Sequence, residues 1–254
     1  MDLVSGRQMK RQSILTTGSF YRAGLLATVL LGSGCASSVA DNPDPWEPFN
    51  RSMYSFNEKL DEYVARPLAR GYQTITPAPV DRGITRFFAN LEDVQIGLNN
   101  LLQAKFGAAL SDIGRFGINS TLGILGFLDV ASNMGLEKHE EDFGQTLGKW
   151  GFSSGPYLVL PVIGPSSARD AVGFAGDWVV NPIYTQIDSA TISWTLYAIR
   201  YVDRRADLLK ASRILQSAAL DPYSFVRDSY MQRRERLVVD GKMPQDEDDD
   251  FFVE

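Results

Sequence analysis

The sequence has one cysteine, one histidine and no apolar run long enough to cross a bilayer. A single cysteine excludes an internal disulfide, and a zinc site needs several His or Cys ligands, so no metal site is expected. A spanning helix needs about 20 apolar residues, whereas the longest stretch here is Ala23 to Leu31. With 25 Lys and Arg against 31 Asp and Glu, the chain also lacks the basic excess that nucleic-acid binding requires.

The first 34 residues have the composition of a secretion signal. Arg7, Lys10, Arg11 and Arg22 form a basic region that precedes the short apolar run. Such a run after basic residues is typical of a signal peptide and not of a transmembrane helix. Residues 1–34 are therefore predicted to be a signal peptide that is removed.

The only cysteine follows this run directly, among small residues. The segment Leu31-Gly32-Ser33-Gly34-Cys35-Ala36-Ser37-Ser38 resembles a bacterial lipobox, although its leucine lies one position further from the cysteine than usual. This predicts Cys35 as the first mature residue, carrying S-diacylglycerol and an N-acyl chain, with delivery to the outer membrane. Residues 35–43 would be a lipidated tether. The alternative is a buried free cysteine.

Hydrophobic spacing predicts helices in the first half of the chain. Asp44-Pro45 is expected to cap a helix over Trp46 to Val64 that ends at Pro67, and a second helix presents apolar residues from Val80 to Leu102. The stretch Phe116 to Val130 is either a tightly packed core helix or a segment lying in lipid. In the second case its membrane-embedded residues would be Phe116, Leu122, Leu125, Phe127 and Leu128.

The second half combines one glycine-rich segment with further helices. Gly144 to Gly164 contains too many helix breakers for a long helix and is predicted to be an irregular loop or hairpin. A capping box at Ser167 to Asp170 starts a helix, Ser193 to Leu215 is helical, and Asp221-Pro222 caps a last helix to about Leu237. The prediction is one all-α domain over residues 44–240, followed by an acidic disordered tail over 241–254.

Candidate catalytic patterns are weak. Gly151-Phe152-Ser153-Ser154-Gly155 matches the G-x-S-x-G pattern of hydrolases, but that pattern needs a preceding strand and a following helix. The only histidine, His139, also precedes the serine, whereas that fold places it last. No catalytic residue is predicted. His139 to Asp142 and the pair Glu92-Asp93 are interpreted as solvated surface charge.

Aromatic residues are abundant. Most of them are expected in the core, where large side chains stabilise a small helical domain, and some at a bilayer interface. The aromatic residues singled out in this way are Trp46, Phe49, Tyr54, Phe56, Tyr63, Phe87, Phe88, Phe116, Phe127, Trp150, Phe152, Tyr157, Trp178 and Trp194.

Several blocks resemble the MlaA/VacJ family of lipoproteins, in order along nearly the whole mature chain. They are Asp44-Pro45-Trp46-Glu47-Pro48-Phe49-Asn50-Arg51, Asn119-Ser120-Thr121-Leu122-Gly123, Gly126-Phe127-Leu128-Asp129-Val130-Ala131, Phe143-Gly144-Gln145-Thr146-Leu147-Gly148, Gly155-Pro156-Tyr157, Leu160-Pro161 and Asp221-Pro222-Tyr223. The resemblance implies a ring-like all-α domain in the periplasmic leaflet of the outer membrane, often beside a trimeric porin. It implies removal of phospholipid from the outer leaflet through a central amphipathic channel to a soluble periplasmic carrier, without catalysis and without a cofactor other than the lipid on Cys35.

The glycine-rich segment is the predicted edge and gate of that channel. The candidate residues are Gly144, Gln145, Thr146, Leu147, Gly148, Trp150, Gly151, Gly155, Pro156 and Tyr157. Glycine permits hinge motion, so stiffening Gly148 or Gly151 is expected to alter lipid flux without unfolding the protein. Two alternatives remain: a structural, porin-associated lipoprotein without transport activity, and a lipid-degrading enzyme.

Overall fold

The computed structural model describes residues 44–185 and 187–241. The predicted signal peptide, Cys35, the tether and nearly all of the acidic tail lie outside these residues. The described residues belong to one compact unit. Its elements in chain order are α1 (Glu47–Leu60), a π-helical turn (Asp61–Ala65), α2 (Arg66–Ile75), α3 (Ala78–Leu102), α4 (Phe106–Thr121), α5 (Val130–Asn133), α6 (Phe143–Lys149), β1 (Tyr157–Leu160), β2 (Gly164–Ser167), α7 (Ala168–Val180), α8 (Pro182–Thr185), α9 (Ala190–Asp207), α10 (Leu209–Ala218) and α11 (Pro222–Val238). The all-α prediction is confirmed, and the two short strands form a single hairpin.

The first helix differs from its prediction at both ends. Trp46, not Asp44, occupies the N-cap, and Asp44 is buried, where it accepts hydrogen bonds from Asn50 Nδ2 at 2.7 Å and from the Tyr223 hydroxyl. Pro67 does not end the helix. The Arg66 N–H donates to the Asp61 carbonyl, five residues back, so a π-turn joins α1 to α2. This wider turn accommodates a proline that has no N–H to donate.

The stretch from Phe116 to Val130 is not one helix. α4 ends at Thr121, and a turn over residues 122–128 leads to α5. A Cβ on Gly123 would lie 2.2 Å from the Leu128 carbonyl oxygen, and Gly126 has φ +93°. At each of these two positions only glycine fits. The chain therefore turns here, although the apolar periodicity alone predicts that the helix continues.

The glycine-rich segment begins as a helix. Asp142 caps α6 by accepting from the Gln145 N–H at 2.9 Å, so the predicted loop is wrong for residues 143–149. The predicted hairpin is confirmed further along. β1 and β2 pair antiparallel from Tyr157 with Ser167 to Leu160 with Gly164.

The remaining helices follow their predicted caps. The Ser167 side chain accepts from the Asp170 N–H and starts α7, and Asp221 caps α11. The predicted helix from Ser193 to Leu215 is two helices, because α9 ends at Asp207 and α10 starts at Leu209. A one-residue break of this kind, at Leu208, leaves no mark in the hydrophobic pattern.

The buried interior of the described residues is unusually polar. It contains 21 buried polar or charged residues and only 12 buried apolar ones. The expectation that most aromatics form the core is wrong, since Trp46, Phe49, Phe56, Tyr63, Phe127, Trp150, Phe152, Trp178 and Trp194 are exposed. Large exposed apolar surfaces mark contact with a partner or with lipid. The polarity of this fold is thus opposite to that of an ordinary soluble domain.

Candidate functional site

A cavity with a volume of about 450 Å³ lies among the described residues. Its wall is built from α3, the segment 138–142, α6, the β-hairpin, α7, α9 and α11. Helices and the hairpin that are distant in sequence therefore meet around one space. A volume of this size is within the usual range for small-molecule and cofactor sites.

The lining of the cavity is amphipathic. Its apolar side chains are Ile96, Leu160, Ile163, Pro165, Phe174, Trp178, Tyr197 and Leu237. Its cationic side chains are Lys138, Arg200, Arg204, Arg233 and Arg234, and its acidic ones are Glu92, Glu140, Glu141, Asp142, Asp170 and Asp177. A ligand with a charged end and an apolar body would find partners for both parts on this wall.

Arg234 holds the α11 side of the cavity. It is 8% exposed, and its Nη2 donates to Asp142 Oδ1 at 2.9 Å and to Asp170 Oδ1 at 2.9 Å. The Tyr230 hydroxyl donates to Asp170 Oδ2 at 2.8 Å. Burial alone would raise the pKa of both Asp142 and Asp170, but the Arg234 guanidinium lowers each pKa below its ordinary value. This network ties α6, α7 and α11 together.

Asp177 forms a second polar wall, on α7. It is buried and accepts from the Asn99 side chain at 3.0 Å and from the Phe143 N–H at 3.0 Å. Burial raises the pKa of Asp177 to about 6, although both hydrogen bonds oppose the rise. Behind it the Thr146 hydroxyl donates to Asn99 Oδ1 at 2.9 Å. α3, α6 and α7 are therefore joined by buried hydrogen bonds where an ordinary core would use apolar contacts.

The segment from His139 to Asp142 is not simply a solvated turn. His139 Nδ1 lies 3.1 Å from Asp112 Oδ2, and Glu141 pairs with Lys105 at 2.8 Å. The interpretation of Glu92-Asp93 as surface charge is also wrong. Asp93 is buried beside Lys138, and Glu92 pairs with Arg200 and, at 3.1 Å, with Arg204. Sequence reasoning missed these ion pairs because their partners lie far away in the chain.

Of the ten residues predicted for a channel edge and gate, Gln145 is the one that lines the cavity. Thr146 and Tyr157 are fully buried, Gly144 is buried, and Leu147, Gly148, Gly155 and Pro156 are half-buried. Trp150 and Gly151 are exposed at the end of α6, where Trp150 Nε1 donates to the Leu102 carbonyl at 3.1 Å. The gate role of this segment stays a prediction.

Close packing, rather than freedom to bend, accounts for two of its glycines. A Cβ on Gly144 would lie 2.6 Å from Asp170 Oδ1, and a Cβ on Gly148 would lie 2.8 Å from Arg169 Nη1 and Val238 Cγ2. Gly151 is different, because it has φ +94° and nothing within 4 Å of a Cβ there. Within this segment, the hinge hypothesis is therefore better directed at Gly151 than at Gly148.

The predicted membrane-embedded residues lie mainly in the turn after α4. Leu122, Leu125, Phe127 and Leu128 are between 41% and 65% exposed, and Phe116 is half-buried on α4. Polar side chains fix the backbone at the base of this turn through hydrogen bonds. Asn119 Oδ1 accepts from the Ala131 N–H at 2.9 Å, and its Nδ2 donates to Asp129 at 3.1 Å. The turn thus presents apolar side chains on a fixed backbone.

The G-x-S-x-G segment lies in the reverse context to that of a hydrolase. α6 precedes it and β1 follows it, whereas the pattern requires a strand first and a helix second. Within the described part of the chain, no group of three or more His, Cys, Asp and Glu residues is placed to hold a metal ion. None of the described helices has the length and apolarity needed to span a bilayer.

The structure adds residues that the sequence did not single out. Phe174 and Trp178 on α7, and Arg200 and Arg204 on α9, all line the cavity. Each pair is spaced four residues apart and so lies on one face of its helix. That spacing was the available signal, but it indicates a shared face without showing what the face covers.

Comparison with known proteins gives consistent matches. The family model described as MlaA lipoprotein matches residues 42–237. The intermembrane phospholipid transport system lipoprotein MlaA of Escherichia coli K12 is 37% identical, over 86% of this chain and 88% of that protein. The protein of the same name from Haemophilus influenzae is 32% identical, over 92% and 94%. A solved structure described as "Structural basis for maintenance of bacterial outer membrane lipid asymmetry" matches with a TM-score of 0.67 and 33% identity, over 77% of this chain and 98% of that one.

Proposed function

Because the chain belongs to the MlaA lipoprotein family, we propose that it is the outer-membrane lipoprotein of an intermembrane phospholipid transport system. In this role it removes phospholipid from the outer leaflet and passes it to a soluble periplasmic carrier, which maintains lipid asymmetry. The observation that carries the proposal is the amphipathic cavity, because a phospholipid has one charged end and an apolar body. The protein acts from the periplasmic face, beside a trimeric porin.

Physical chemistry explains why a sheltered path is needed. Withdrawing an acyl chain from a bilayer costs about 0.8 kcal/mol per CH₂, so a two-chain lipid does not leave without help. A wall that contains both Phe174 and Arg204 can contact the tails while it pairs with the headgroup phosphate. Such a wall lowers the barrier without any bond being made or broken. The cavity needs only to accept and release intact lipid.

The polarity of the fold supports residence in a leaflet. Many large apolar side chains lie on its outside, including those of the turn over residues 122–128, and buried charges such as those of Arg234 and Asp170 are paired within. In lipid this arrangement places hydrocarbon against hydrocarbon. The interfacial preference of Trp and Tyr accounts for exposed rings such as those of Trp46 and Tyr63.

Reconstitution tests the function directly. The protein in liposomes with labelled phospholipid is expected to deliver intact lipid to a soluble carrier. Phe174→Glu should reduce the transfer rate at least about tenfold, because a carboxylate in the apolar wall repels the tails and must be desolvated. Phe174→Leu, which keeps the wall apolar, should transfer at close to the wild-type rate.

The outcomes separate the three candidate functions of this protein. Lipid transfer that Phe174→Glu reduces and Phe174→Leu preserves supports the transport function. A wild-type protein that folds and inserts but transfers nothing would indicate a structural, porin-associated lipoprotein. Release of free fatty acid would instead indicate a lipid-degrading enzyme. Thermal unfolding of both Phe174 variants verifies that a loss of transfer does not reflect misfolding.

Lipidation at Cys35 is the second part of the proposal. The lipobox-like sequence supports S-diacylglycerol and N-acyl chains on this residue, and two or more acyl chains anchor a protein stably. Cys35→Ser is expected to leave the protein folded but mis-sorted. Membrane fractionation and mass spectrometry of the mature N-terminus measure this result. Normal delivery of the serine variant to the outer membrane would contradict the lipobox assignment.

A further inference from the structure

A second, smaller cleft lies between α2, α9 and α10. It is lined by Arg66, Arg70, Arg205, Leu209, Ser212 and Arg213, and it has a volume of about 40 Å³. None of these residues lines the larger cavity. Four of the six carry a guanidinium group, in a chain with a net charge of −6. The cleft is thus a local reversal of the overall charge.

Two of these arginines share one carboxylate. Arg66 Nη2 lies 2.9 Å from Asp61 Oδ2, and Arg205 Nη2 lies 2.8 Å from the same oxygen. Burial alone would raise the pKa of Asp61, but its pairs with Arg205 and Arg66 lower this pKa below the ordinary value. Glu58 also acts electrostatically on Arg205. Asp61 is therefore ionised and fixes the positions of these two guanidinium groups.

The other two arginines are not neutralised within the described part of the chain. Arg70 and Arg213 are exposed, and neither forms an ion pair with a described residue. Arg205 adds an unused donor, because its Nη1 is buried and has no hydrogen-bond partner among the described residues. A buried donor without an acceptor is costly, which favours a ligand that supplies oxygen atoms.

The surroundings indicate what kind of ligand this is. Two of the three helices around the cleft also carry exposed apolar side chains, Leu68 and Ile75 on α2 and Ile214 on α10. An arginine-lined cleft held by helices that also expose apolar side chains fits a lipid headgroup better than a free ion. Guanidinium groups bind phosphate oxygens through paired hydrogen bonds, and basic pockets of this kind hold anionic headgroups.

We propose that this cleft binds the phosphate of an anionic phospholipid headgroup from the leaflet in which the protein lies. Arg70 and Arg213 reach the phosphate from opposite walls, while Arg66 and Arg205 form the base of the site. The lipid held here is not the lipid in transit, because the site shares no residue with the cavity. It serves as a fixed contact that orients the protein in an anionic membrane.

Calorimetric titration of the full mature protein in a non-ionic detergent tests this inference. The probes are dihexanoyl phosphatidylglycerol, dihexanoyl phosphatidylcholine and inorganic phosphate. The test variant is Arg70→Gln/Arg213→Gln, whose side chains make no described ion pair, so folding should be preserved. The matched control is Arg82→Gln/Arg86→Gln, which removes the same charge from exposed positions on α3.

The wild type is expected to bind phosphatidylglycerol more tightly than phosphatidylcholine. The test variant should bind phosphatidylglycerol about thirtyfold more weakly, since each of the two basic residues near an anionic surface contributes about five- to sixfold. The control variant should match the wild type. Lipid transfer by the test variant should also match the wild type, which would distinguish this site from the cavity. The binding measurements test the cleft even if the transport proposal fails.

Four results would overturn the proposal. The first is equal phosphatidylglycerol binding by the test variant and the wild type. The second is an equal loss in the control, which would indicate a general effect of charge. The third is inorganic phosphate binding as tightly as phosphatidylglycerol through the same arginines, which would indicate a free-phosphate site. The fourth is a parallel loss of lipid transfer in the test variant, which would place the cleft on the transport path.

Discussion

Gly173→Ala is expected to destabilise the folded protein by about 3 kcal/mol or more. A Cβ at this position of α7 would lie 2.4 Å from the Gly144 backbone nitrogen and 2.6 Å from its Cα. Backbone atoms cannot move aside as a side chain can, so α6 and α7 would have to separate. That separation would strain the bonds of Asp170 and Asp177, which connect α7 to α11 and α6. Urea-induced unfolding of the mature protein in detergent measures the loss.

Gly117→Ala is the matched control for this substitution. Gly117 lies inside α4, a Cβ there would have nothing within 4 Å, and its φ is not positive. Alanine is favoured over glycine within a helix by about 0.5–1 kcal/mol, so this variant should be slightly more stable than the wild type. An equal loss in both variants would show that the α6–α7 contact is not tight.

These two glycines mark what sequence patterns can and cannot predict. The capping signals at Ser167 and Asp221 are confirmed, because each side chain accepts from backbone donors two or three residues away. Asp44, predicted as a cap in the same way, is not one, because it accepts from Asn50 and from the distant Tyr223 instead. A glycine gives no such local signal. Gly117 and Gly173 are both helical, and only the contact with Gly144, 29 positions earlier, makes one of them irreplaceable. The predicted start of α3 is close to the observed one, whereas α4 starts at Phe106 and ends at Thr121, well before the predicted stretch at both ends.

The candidate site, too, was predicted only in part from the sequence. The family resemblance led to an amphipathic channel, and the structure contains an amphipathic cavity, but the predicted lining segment contributes Gln145 alone. Two of its other members pack behind the wall. Thr146 bonds to Asn99, and Gly144 lets α6 approach α7. Residues essential to a wall need not face the space it encloses, and sequence order does not distinguish the two groups.

The inverted polarity of the fold also limited the sequence reasoning. Aromatic residues are expected in the core because large apolar side chains usually stabilise a domain by burial. Here buried ion pairs and amide chains connect the helices, and rings such as that of Trp194 lie outside. Buried charges are tolerated when each has its partner. The interior therefore depends on specific pairs, and deleting one partner has a large effect.

Arg234→Met is the clearest example of such a deletion. It should destabilise the protein by about 3–5 kcal/mol at neutral pH, because removing one partner from a buried ion pair usually has an effect of this size. Methionine fills a similar volume but leaves Asp142 and Asp170 without their shared cation. Urea unfolding measures the loss. The control is Arg233→Met, one residue earlier. Arg233 pairs with Glu140 at 3.2 Å, with side chains 66% and 72% exposed, so its removal should change stability by less than about 1 kcal/mol.

The pH dependence of these variants distinguishes a lost ion pair from lost packing. In the wild type Arg234 lowers the pKa of Asp142 and Asp170 in the folded state. Its contribution to the free energy of unfolding is therefore complete above the pKa values of these groups in the unfolded chain, and it disappears as the pH falls through their pKa values in the folded protein. Arg234→Met removes the strongest opposition to burial at both carboxyl groups, while Tyr230 and Arg169 still lower the pKa of Asp170 and the Gln145 hydrogen bonds still lower that of Asp142. Both pKa values are therefore higher in the variant than in the wild type, and acidification from neutral pH towards about 4 relieves part of the loss. The stability difference between wild type and variant should therefore shrink over that interval. A difference that stays constant with pH would show that Arg234 acts through packing rather than through charge.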